Sequence, residues 1–488
     1  MTKYLDNTDP AAIQEAAFII ASGGLVAFPT ETVYGLGANA MNESACKQIF
    51  EAKGRPADNP LIIHIADLDM LSTIISNSPT GKAALEKAMP LIQAFWPGPL
   101  TLIFEKSSEV NNIVSGGLST VAVRMPDNPA ALALIAASGR PIAAPSANIS
   151  GSPSPTTAAH VKADLDGKIS MILDGGPTTA GLESTILDLT TAVPTMLRPG
   201  HITPEMLEEL LGPISLSYET ALADKEAPKA PGMKYRHYAP KAKLTLVKTK
   251  RDIRLIKYIM EKATNTTENC AVLAPPEFLH KYSGLKTYSL TAENLFSALR
   301  QLDSDGITHA FIHSPKATGI GLALLNRLSK ATGGNTVDLD TVLFVCTGNT
   351  CRSPMAAAVW DSAGTGCNAK SRGIAVIPNS RLSENSSKAL ESLGLSLTNH
   401  TPTQVTINDV EEAALVLCMT KNHATHLKSM GYPEKVFTLA EYSGVHEDVP
   451  DPYGADLRTY HNCAETIKTL IEKIIEDRKK REFNRPLA

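Results

Sequence analysis

The residues with the most specific chemistry lie between positions 342 and 354. Cys346 and Arg352 enclose five residues, and the four apolar residues before Cys346 are typical of a short buried strand. Such a loop can turn its backbone N–H groups toward an anion at the beginning of a helix, which Pro354 is expected to open. The loop, the helix dipole, Arg352 and the Ser353 hydroxyl would lower the pKa of the Cys346 thiol. Because a guanidinium can bind a tetrahedral phosphate bidentately, the segment predicts phosphoryl transfer to the Cys346 sulfur.

Two structural explanations compete with this interpretation of Cys346 and Cys351, namely half of a zinc site or a buried cysteine pair. A zinc site would need a second Cys or His pair nearby, and none follows Cys351 closely in the sequence. Arg352 would also repel a cation held at this place. The nucleophilic cysteine is therefore the favoured interpretation.

A proton donor for the leaving group is expected much further along the chain. Asp451 is flanked by prolines, and a carboxylic acid on a proline-stiffened loop can be held over a phosphate as a general acid. With this loop, residues 341–488 resemble the low-molecular-weight protein tyrosine phosphatases, which implies a doubly wound parallel-sheet α/β domain. The resemblance implies that Cys346 is the nucleophile, that Arg352 binds phosphate, and that Asp451 is the acid and then the base. It also implies a phosphate loop completed by Thr347, Gly348, Asn349, Thr350, Cys351 and Ser353.

Thr350 bears on the substrate of this domain. Most tyrosine-directed members of the family carry an aliphatic residue, commonly Ile, at this position, whereas bacterial protein-arginine phosphatases are similar to this chain in having Thr. Both residues are β-branched, but the hydroxyl can orient a polar guanidinium where an aliphatic group favours a phenyl ring. The resemblance therefore favours phosphoarginine in phosphorylated proteins as the substrate, with phosphotyrosine as the alternative.

Two further functions of the same fold are weighed against phosphatase activity. Arsenate reductases need a resolving cysteine pair, and Cys418 and Cys463 stand alone in the sequence. A degenerate phosphatase would act only as a binding domain, but every expected catalytic residue is present. Phosphatase activity is therefore predicted.

Length and composition predict a cytoplasmic protein of several domains. It has 488 residues, of which 43% are hydrophobic and 20% charged, as in ordinary globular proteins. The formal charge of −4 gives no cationic footprint for nucleic acid or an anionic membrane, so little direct tRNA binding is expected. Seven cysteines are scattered without a disulfide framework, and the N-terminal segment is polar and acidic, unlike a signal peptide. The apolar stretches are too short to span a membrane.

Changes in the sequence pattern predict three α/β domains. Residues 1–212 alternate short apolar runs with helical patterns, which is typical of an α/β domain built on a large, twisted open sheet. Residues 213–243 lose this periodicity and are predicted to be a linker or lid. Residues 244–333 resume the alternation as a small Rossmann-like α/β domain, and residues 341–488 form the third domain.

Polar side chains follow several predicted strands of the first domain, where open α/β sheets bind ligands. Residues 29–37 (PTETVYGLG) follow one strand, and Arg124 and Arg198 end two others without an acidic motif beside them. Since a buried arginine needs an anionic partner, we expect these side chains to bind an anionic ligand. The glycines of residues 35–40 (GLGANA) also fit a dinucleotide-loop pattern, but no helix start follows, so the match is predicted to be fortuitous.

Ordered motifs identify a family for the first two thirds of the chain. PTETVYGLG, KGRP, FWPGPLT, VRMP, PSAN, ESTI, LRPG and PGMKYRHYAP occur in this order between residues 29 and 240. Together they resemble the YrdC family, and the layout up to residue 333 resembles its long form, the threonylcarbamoyl-adenylate synthases. The resemblance implies that L-threonine, bicarbonate and ATP, the last as its Mg²⁺ complex, give threonylcarbamoyl-AMP and pyrophosphate. No tightly bound cofactor or resident metal is expected, and the product would pass to the machinery that transfers threonylcarbamoyl to tRNA.

The same resemblance implies two groups of binding residues. Threonine would be bound by Thr32, His64, Arg124 and Ser184. ATP would be bound by Lys53, Arg55, Asn59, Thr120, Ser146, Asn148, Ser154, Arg198, Tyr235 and His237, with residues 235–238 as a lid. A non-catalytic RNA-binding module is the alternative function for this region. The overall acidity and the isolated placing of the cations weigh against it.

Overall fold

The structure, a computed structural model, describes residues 1–56, 58–217, 237–249, 252–365, 367–397, 399–431 and 433–483. The chain divides into two compact units. The first comprises residues 1–246 with 256–336, and the second comprises residues 247–255 with 337–488. Tyr235 and Arg236, half of the lid predicted at residues 235–238, lie outside the described residues.

One mixed sheet of eleven strands organises the first part of the chain. Its strands are β1 (Lys3–Asp6), β2 (Val26–Phe28), β3 (Gly35–Asn39), β4 (Ile62–His64), β5 (Leu100–Glu105), β6 (Thr120–Arg124), β7 (Ile142–Ala143), β8 (Met171–Asp174), β9 (Thr185–Asp188), β10 (Thr195–Arg198) and β11 (Ser215–Leu216). They lie in the order β1-β8-β2-β3-β7-β4-β6-β5-β9-β10-β11. The large α/β sheet expected from the sequence is confirmed.

The glycine pattern of residues 35–40 belongs to a strand, β3, rather than to a nucleotide-binding loop. This strand is antiparallel to β2 and pairs Gly37 with Val26. A Cβ atom at Gly37 would lie 2.8 Å from side-chain atoms of both Phe28 and Ile142. Glycine is therefore required at this position by close packing against the neighbouring strands.

Eight helices accompany this sheet in the described residues. They are α1 (Pro10–Ala21), α2 (Glu43–Lys53), α3 (Leu68–Ile74), α4 (Pro79–Phe95), α5 (Asn112–Ser115), α6 (Pro129–Ser138), α7 (Ala158–Leu165) and α8 (Pro204–Leu211). Side-chain caps such as Asn42 and Thr203 begin several of them, because an oxygen at the N-cap accepts from an otherwise unpaired backbone N–H. Helix α2 ends at Lys53 and is capped by Gly54, whose left-handed φ of 60° separates Lys53 from Arg55.

A second sheet of five strands forms the small domain. Its strands are β12 (Lys243–Lys248), β13 (Cys270–Ala274), β14 (Lys286–Ser289), β15 (His309–His313) and β16 (Thr336–Asp338). They lie in the order β14-β13-β15-β12-β16, and β13 is parallel to both of its neighbours. The associated helices are α9 (Asp252–Thr264), α10 (Leu295–Ser304) and α11 (Ile320–Thr332). Parallel strands with intervening helices match the Rossmann-like pattern expected of this domain.

The C-terminal unit is a parallel sheet with a core on each face. Its strands are β17 (Val342–Cys346), β18 (Ala369–Gly373), β19 (Leu415–Cys418) and β20 (Val436–Thr438), in the order β18-β17-β19-β20. Its helices are α12 (Arg352–Ser362), α13 (Glu384–Ser392), α14 (Ile407–Glu412), α15 (Lys421–Lys428), α16 (Leu439–Tyr442) and α17 (Leu457–Phe483). Val342 and Phe344 pack into one core, whereas Leu343 and Val345 pack into the other. This alternation confirms the doubly wound fold.

The helices of the described ranges were compared with the length and apolar content that a membrane span needs. None of them combines enough length with enough apolar sequence to cross a bilayer.

Candidate active sites

A cavity lies among the loops of the first domain. Its walls come from residues that follow β2 and β7 and from residues that end β4, β6 and β10. Ten of the residues expected to bind threonine or ATP line it, namely Thr32, Lys53, Arg55, His64, Arg124, Ser146, Asn148, Ser184, Arg198 and His237. The fold therefore brings together side chains that are scattered over two hundred residues of sequence.

Three other predicted ATP ligands do not line this cavity. Asn59 is buried, and its carbonyl oxygen accepts from Arg55 Nε at 3.3 Å. Thr120 begins β6, at the opposite end of the strand from Arg124. Ser154 is fully buried and donates its hydroxyl to Glu183 Oε1 at 2.6 Å. Asn59 and Ser154 thus each contact a residue that lines the cavity, whereas Thr120 lies at the far end of its strand.

Arg124 has an acidic partner, so the expectation that the arginines lack one was wrong for this residue. Its Nη2 lies 2.5 Å from Glu31 Oε1, its Nη1 donates to Thr32 Oγ1 at 2.9 Å, and its Nε donates to Gly98 O at 3.1 Å. Glu31 and Arg124 are far apart in sequence, and only the sheet places the loop after β2 beside the end of β6. The pair leaves the Thr32 hydroxyl fixed at the cavity wall.

Lys53 is a buried cation and Arg55 a half-buried one, and both are held by backbone carbonyl oxygens. Lys53 Nζ donates to Ser146 O and Asn148 O, both at 2.6 Å, and Arg55 Nη2 donates to Pro60 O at 2.9 Å. Burial, together with the charge of Arg55, lowers the pKa of Lys53 well below its usual value. Burial lowers the pKa of Arg55 to about 10. A buried and a half-buried cation that both line one cavity favour a multiply charged anion as their partner.

Ser184 and Arg198 form a second polar group in the same cavity. Arg198 donates through Nε to Ser184 O at 3.0 Å and through Nη2 to Ser184 Oγ at 3.1 Å. Thr101 Oγ1 lies 2.7 Å from the same hydroxyl oxygen. Burial lowers the pKa of Arg198 to about 10, which again favours an anion nearby.

The two cavity histidines are neutral at physiological pH. Burial, followed by the charge of Arg124, lowers the pKa of His64 to about 3. Burial, followed by the charge of Arg55, lowers the pKa of His237 to about 3. Neither imidazole adds positive charge, so both can contribute shape and neutral hydrogen bonds to a bound ligand.

Glu183 and Arg327 are site residues that the sequence analysis did not identify. Arg327, on α11 of the small domain, donates through Nε to Glu183 Oε2 at 2.7 Å. Burial alone would raise the pKa of Glu183, but the charges of Arg327 and Arg198 lower it to about 2. Glu183 precedes Ser184 in the ESTI motif, and this position next to a predicted ligand could have identified it as a site residue. Arg327 lies in no motif that the sequence analysis singled out.

The C-terminal unit holds a second site, at the turn between β17 and α12. Asn349 adopts a left-handed backbone conformation, with a φ of 55°, and is fully buried. Its Nδ2 donates to Ser353 Oγ and Ser371 Oγ, both at 3.0 Å. Ser353 Oγ in turn lies 3.0 Å from Cys346 Sγ. Helix α12 begins at Arg352, so Pro354 is its third residue rather than the residue that opens it.

Arg352 and Asp451 meet at the mouth of this loop. Arg352 Nη2 donates to Asp451 Oδ2 at 2.6 Å, and its Nη1 donates to Val449 O at 3.3 Å. The Asp451 carboxylate is half exposed, whereas the guanidinium is buried. A cavity opens here, lined by Cys346, Thr347, Gly348, Thr350, Cys351, Arg352 and Asp451, among others. A free thiol, a fixed cation and a carboxylate therefore face one space.

Two histidines support the loop from outside, and neither was predicted. His423 Nε2 lies 2.9 Å from Thr347 Oγ1, and His400 Nε2 lies 2.8 Å from Asn349 O, to which it donates. Burial, followed by the charge of Arg352, lowers the pKa of His423 to about 4, so this ring is neutral. Cys346 and Cys351 are both free thiols, and Cys351 Sγ contacts Tyr460 OH at 3.3 Å. No cysteine pair is formed in this loop.

Comparisons with known proteins match three consecutive segments of the chain. Residues 18–200 match the Sua5/YciO/YrdC family model described as telomere recombination. Residues 202–333 match the threonylcarbamoyl-AMP synthase C-terminal domain. Residues 341–484 match the low molecular weight phosphotyrosine protein phosphatase family.

Similar proteins cover the first two of these segments. A threonylcarbamoyl-AMP synthase of Pyrococcus abyssi is 49% identical over 326 residues, which are 66% of this chain and 94% of that protein. One of Bacillus subtilis is 46% identical over 345 residues, 69% of this chain and 97% of that protein. The crystal structure of P. abyssi Sua5 complexed with L-threonine covers 69% of this chain and 99% of its own, with 46% identity and a TM-score of 0.63.

Proposed function

Because the chain belongs to the threonylcarbamoyl-AMP synthase family, we propose that residues 1–333 form threonylcarbamoyl-AMP and pyrophosphate from L-threonine, bicarbonate and ATP. The observation that carries the proposal is the cavity in which desolvated cations and fixed hydroxyl groups converge. Such a site supplies positioning and electrostatic stabilisation, and this reaction needs no covalent nucleophile. The crystal structure of the P. abyssi relative with L-threonine supports threonine as one substrate.

In the proposed mechanism the threonine amine reacts with CO₂ from bicarbonate, and the resulting carbamate carboxylate attacks the α-phosphorus of ATP. Pyrophosphate leaves as the new P–O bond forms. Thr32, His64, Arg124 and Ser184 would bind threonine. Lys53, Arg55, Ser146, Asn148, Arg198 and His237, which line the cavity, would bind ATP, with Asn59 and Ser154 behind them and Thr120 as the most remote candidate. Mg²⁺ would enter with ATP as part of the substrate.

The test of this proposal is pyrophosphate release by the purified full-length chain. Release should require L-threonine, bicarbonate and MgATP together, and omission of any one should reduce it to background. If the region were instead a non-catalytic RNA-binding module, tRNA would bind in a filter assay and no pyrophosphate would appear. If release does require all three substrates, the threonylcarbamoyl-AMP formed would serve an enzyme that transfers the threonylcarbamoyl group to tRNA.

We also propose that the C-terminal domain dephosphorylates proteins through a phosphocysteine intermediate. Cys346 Sγ would attack phosphorus while Asp451 protonates the leaving atom, so the bond from phosphorus to that atom breaks as the S–P bond forms. Water would then attack phosphocysteine, with Asp451 taking its proton, and inorganic phosphate would leave. Arg352, already fixed by Asp451 and Val449, would hold the phosphoryl oxygens. The match to the phosphatase family supports this chemistry but not the identity of the phosphorylated residue.

Phosphoarginine is the proposed substrate because of Thr350. Its side chain lines the cavity, and its Oγ1 lies 3.5 Å from Cys351 Sγ. Its carbonyl oxygen accepts from Ser383 N at 3.0 Å and from Ser386 Oγ at 3.2 Å, so the backbone is fixed independently of the side chain. The hydroxyl can therefore be exchanged for an aliphatic group without moving the loop, and at the cavity wall it would be placed to pair with a guanidinium.

The Thr350→Ile variant is expected to shift preference from phosphoarginine toward phosphotyrosine. Loss of one hydrogen bond to a charged group should lower the ratio of the two kcat/KM values by roughly 10- to 100-fold. Phosphoarginine- and phosphotyrosine-bearing proteins would be assayed side by side with wild type, Thr350→Ile and the matched Thr350→Ser, which keeps the hydroxyl. If the ratio of the two kcat/KM values were the same in all three proteins, Thr350 would not select phosphoarginine, and phosphotyrosine would be the proposed substrate.

A further inference from the structure

A buried histidine fixes the hydroxyl group of Thr347 at the wall of the phosphatase cavity. Thr347 directly follows Cys346 and lines the cavity, and its Oγ1 lies 2.9 Å from His423 Nε2. We propose that the Thr347 hydroxyl accepts a hydrogen bond from the guanidinium of phosphoarginine, and that His423 is the positioning residue of this hydroxyl. The proposal rests on the phosphatase function proposed above and adds a second specificity-determining residue to it.

Thr347 lies nearer to solvent than the residues that would hold the phosphoryl group. Cys346 and Arg352 are almost fully buried, whereas Thr347 is exposed. A phosphoryl group that meets the Cys346 sulfur occupies the buried end of the cavity, so the substrate atoms beyond phosphorus extend past the exposed part of the wall. In phosphoarginine these atoms are the guanidinium nitrogens, and in phosphotyrosine they are an ester oxygen and a phenyl ring.

The position of His423 is set by its helix and does not depend on Thr347. His423 is 5% exposed and lies in the first turn of α15. The side chain of Thr420 caps this helix by accepting from His423 N at 3.4 Å. Lys421 N donates to Asp448 Oδ2 at 3.1 Å, which fixes the same turn from the loop that carries the proposed general acid. The ring is therefore a rigid partner for the hydroxyl.

The hydrogen bonds of the His423 ring indicate which atom donates to which. Its Nδ1 is buried and has no hydrogen-bond partner among the residues that the structure describes. Since the ring is neutral, only one of its two nitrogens carries a proton. Buried N–H groups without an acceptor are rarer in proteins than buried acceptors without a donor, so the proton belongs on Nε2. His423 Nε2 therefore donates to Thr347 Oγ1.

This donation leaves the Thr347 hydroxyl with groups that match phosphoarginine. A hydroxyl has two lone pairs and one proton, and His423 occupies one lone pair. The second lone pair can accept from a guanidinium N–H, and the proton can be donated to a phosphoryl oxygen. A guanidinium carries only donors, so it needs such an acceptor where water is displaced. A phenyl ring offers no N–H, and the hydroxyl therefore favours phosphoarginine over phosphotyrosine.

The Thr347→Val variant removes the hydroxyl and keeps a β-branched side chain of nearly the same shape. It is expected to lower the ratio of the kcat/KM values for phosphoarginine- and phosphotyrosine-bearing protein by roughly 10- to 100-fold, with the loss on phosphoarginine. Thr347→Ser keeps the hydroxyl and should keep the ratio near that of the wild type. All variants would be measured in the full-length protein. A wild-type ratio in Thr347→Val would overturn the assignment.

His423 is tested through the hydroxyl that it positions. His423→Leu should lower the same ratio, and His423→Gln, whose amide can donate from nearly the same place, should restore much of it. In the Thr347→Val background, His423→Leu should lower the ratio no further, because the histidine acts on the substrate only through the hydroxyl. His426→Leu, at an exposed histidine of the same helix, is the matched control and should behave as wild type.

A purely structural role of His423 predicts a different pattern. His423→Leu would then lower both kcat/KM values equally, and the ratio would stay at the wild-type value, which would overturn the positioning role. Thermal unfolding would show whether each variant folds. If His423→Leu does not fold, Thr347→Val decides, because Thr347 is exposed and its substitution leaves the core intact.

Failure of this inference is distinct from failure of the proposed function. A wild-type protein that cleaves neither substrate would contradict the phosphatase proposal, and one that prefers phosphotyrosine would contradict phosphoarginine as the substrate. A wild-type preference for phosphoarginine that is unchanged in Thr347→Val would contradict only the role of the Thr347 hydroxyl.

Discussion

Lys53→Ala and Arg55→Ala are each expected to abolish threonine-dependent pyrophosphate release and to leave the phosphatase activity unchanged. Both cations line the synthase cavity, and Lys53 is buried with its Nζ fixed at 2.6 Å from two carbonyl oxygens. A lost charge-assisted contact costs about 1.5–3 kcal/mol in binding, and more where charge develops in the transition state. The phosphatase residues belong to the other compact unit, which has a core of its own.

The measurement is pyrophosphate release at saturating threonine and bicarbonate with varied MgATP. Lys47→Ala is the matched control, because Lys47 lies on the same helix as Lys53 but is exposed and paired with Glu43. It should keep wild-type activity. If both Lys53→Ala and Arg55→Ala also kept wild-type kcat/KM for ATP, the assignment of this end of the cavity to the triphosphate would be wrong.

Local patterns were sufficient to predict the α/β folds and the strand, turn and helix around the proposed phosphate loop. The strand before Cys346 and the helix after it follow from four apolar residues and a first-turn proline, which act within one short segment. Cys346, Arg352 and Ser353 are likewise brought together by a single turn. Asp451 could be predicted at a distance only because prolines flank it and a family resemblance gave it a role.

Contacts between distant segments could not be predicted in this way. Arg124 has no acidic neighbour in sequence, yet Glu31 reaches it across the sheet at 2.5 Å. Arg327 meets Glu183 only because the small domain packs against the synthase domain. His423 reaches Thr347 from a helix whose own sequence carries no signal of chemistry. In each case the partner is selected by tertiary packing, which periodicity and spacing do not encode.

Gly35 and Gly37 show that a glycine pattern predicts a nucleotide-binding loop only in the right structural context. Three small residues in a row of six can cradle a pyrophosphate only when they join a strand to a helix. Here they lie within β3, and the Phe28 and Ile142 side chains occupy the space that a Cβ at Gly37 would need. The charge state of the cavity histidines also could not be predicted from the sequence. Burial lowers the pKa of His64 to about 3, and a sequence gives no measure of that burial.

Cys346→Ser is expected to reduce dephosphorylation to the background rate for every substrate, because the thiolate is the proposed nucleophile and a serine hydroxyl, unlike a thiol, does not ionise near neutral pH. Cys367→Ser is the control, since Cys367 is half buried in the same unit and lies outside the cavity. Pyrophosphate release should be unaffected in both variants. Wild-type phosphatase rates in Cys346→Ser would exclude a phosphocysteine intermediate.

The Asp451→Asn variant tests the proposed general acid independently of the proposed nucleophile, Cys346. General-acid catalysis contributes about 10²- to 10⁴-fold, and only when the leaving group needs a proton. The variant should therefore lose that factor on phosphoarginine or phenyl phosphate but lose much less on p-nitrophenyl phosphate, whose leaving group departs as a stable anion. Asp451 also accepts from Arg352 at 2.6 Å, so a purely structural role predicts an equal loss on all three substrates. The ratio of the losses, rather than their size, decides between a proton donor and a residue that only orients the guanidinium.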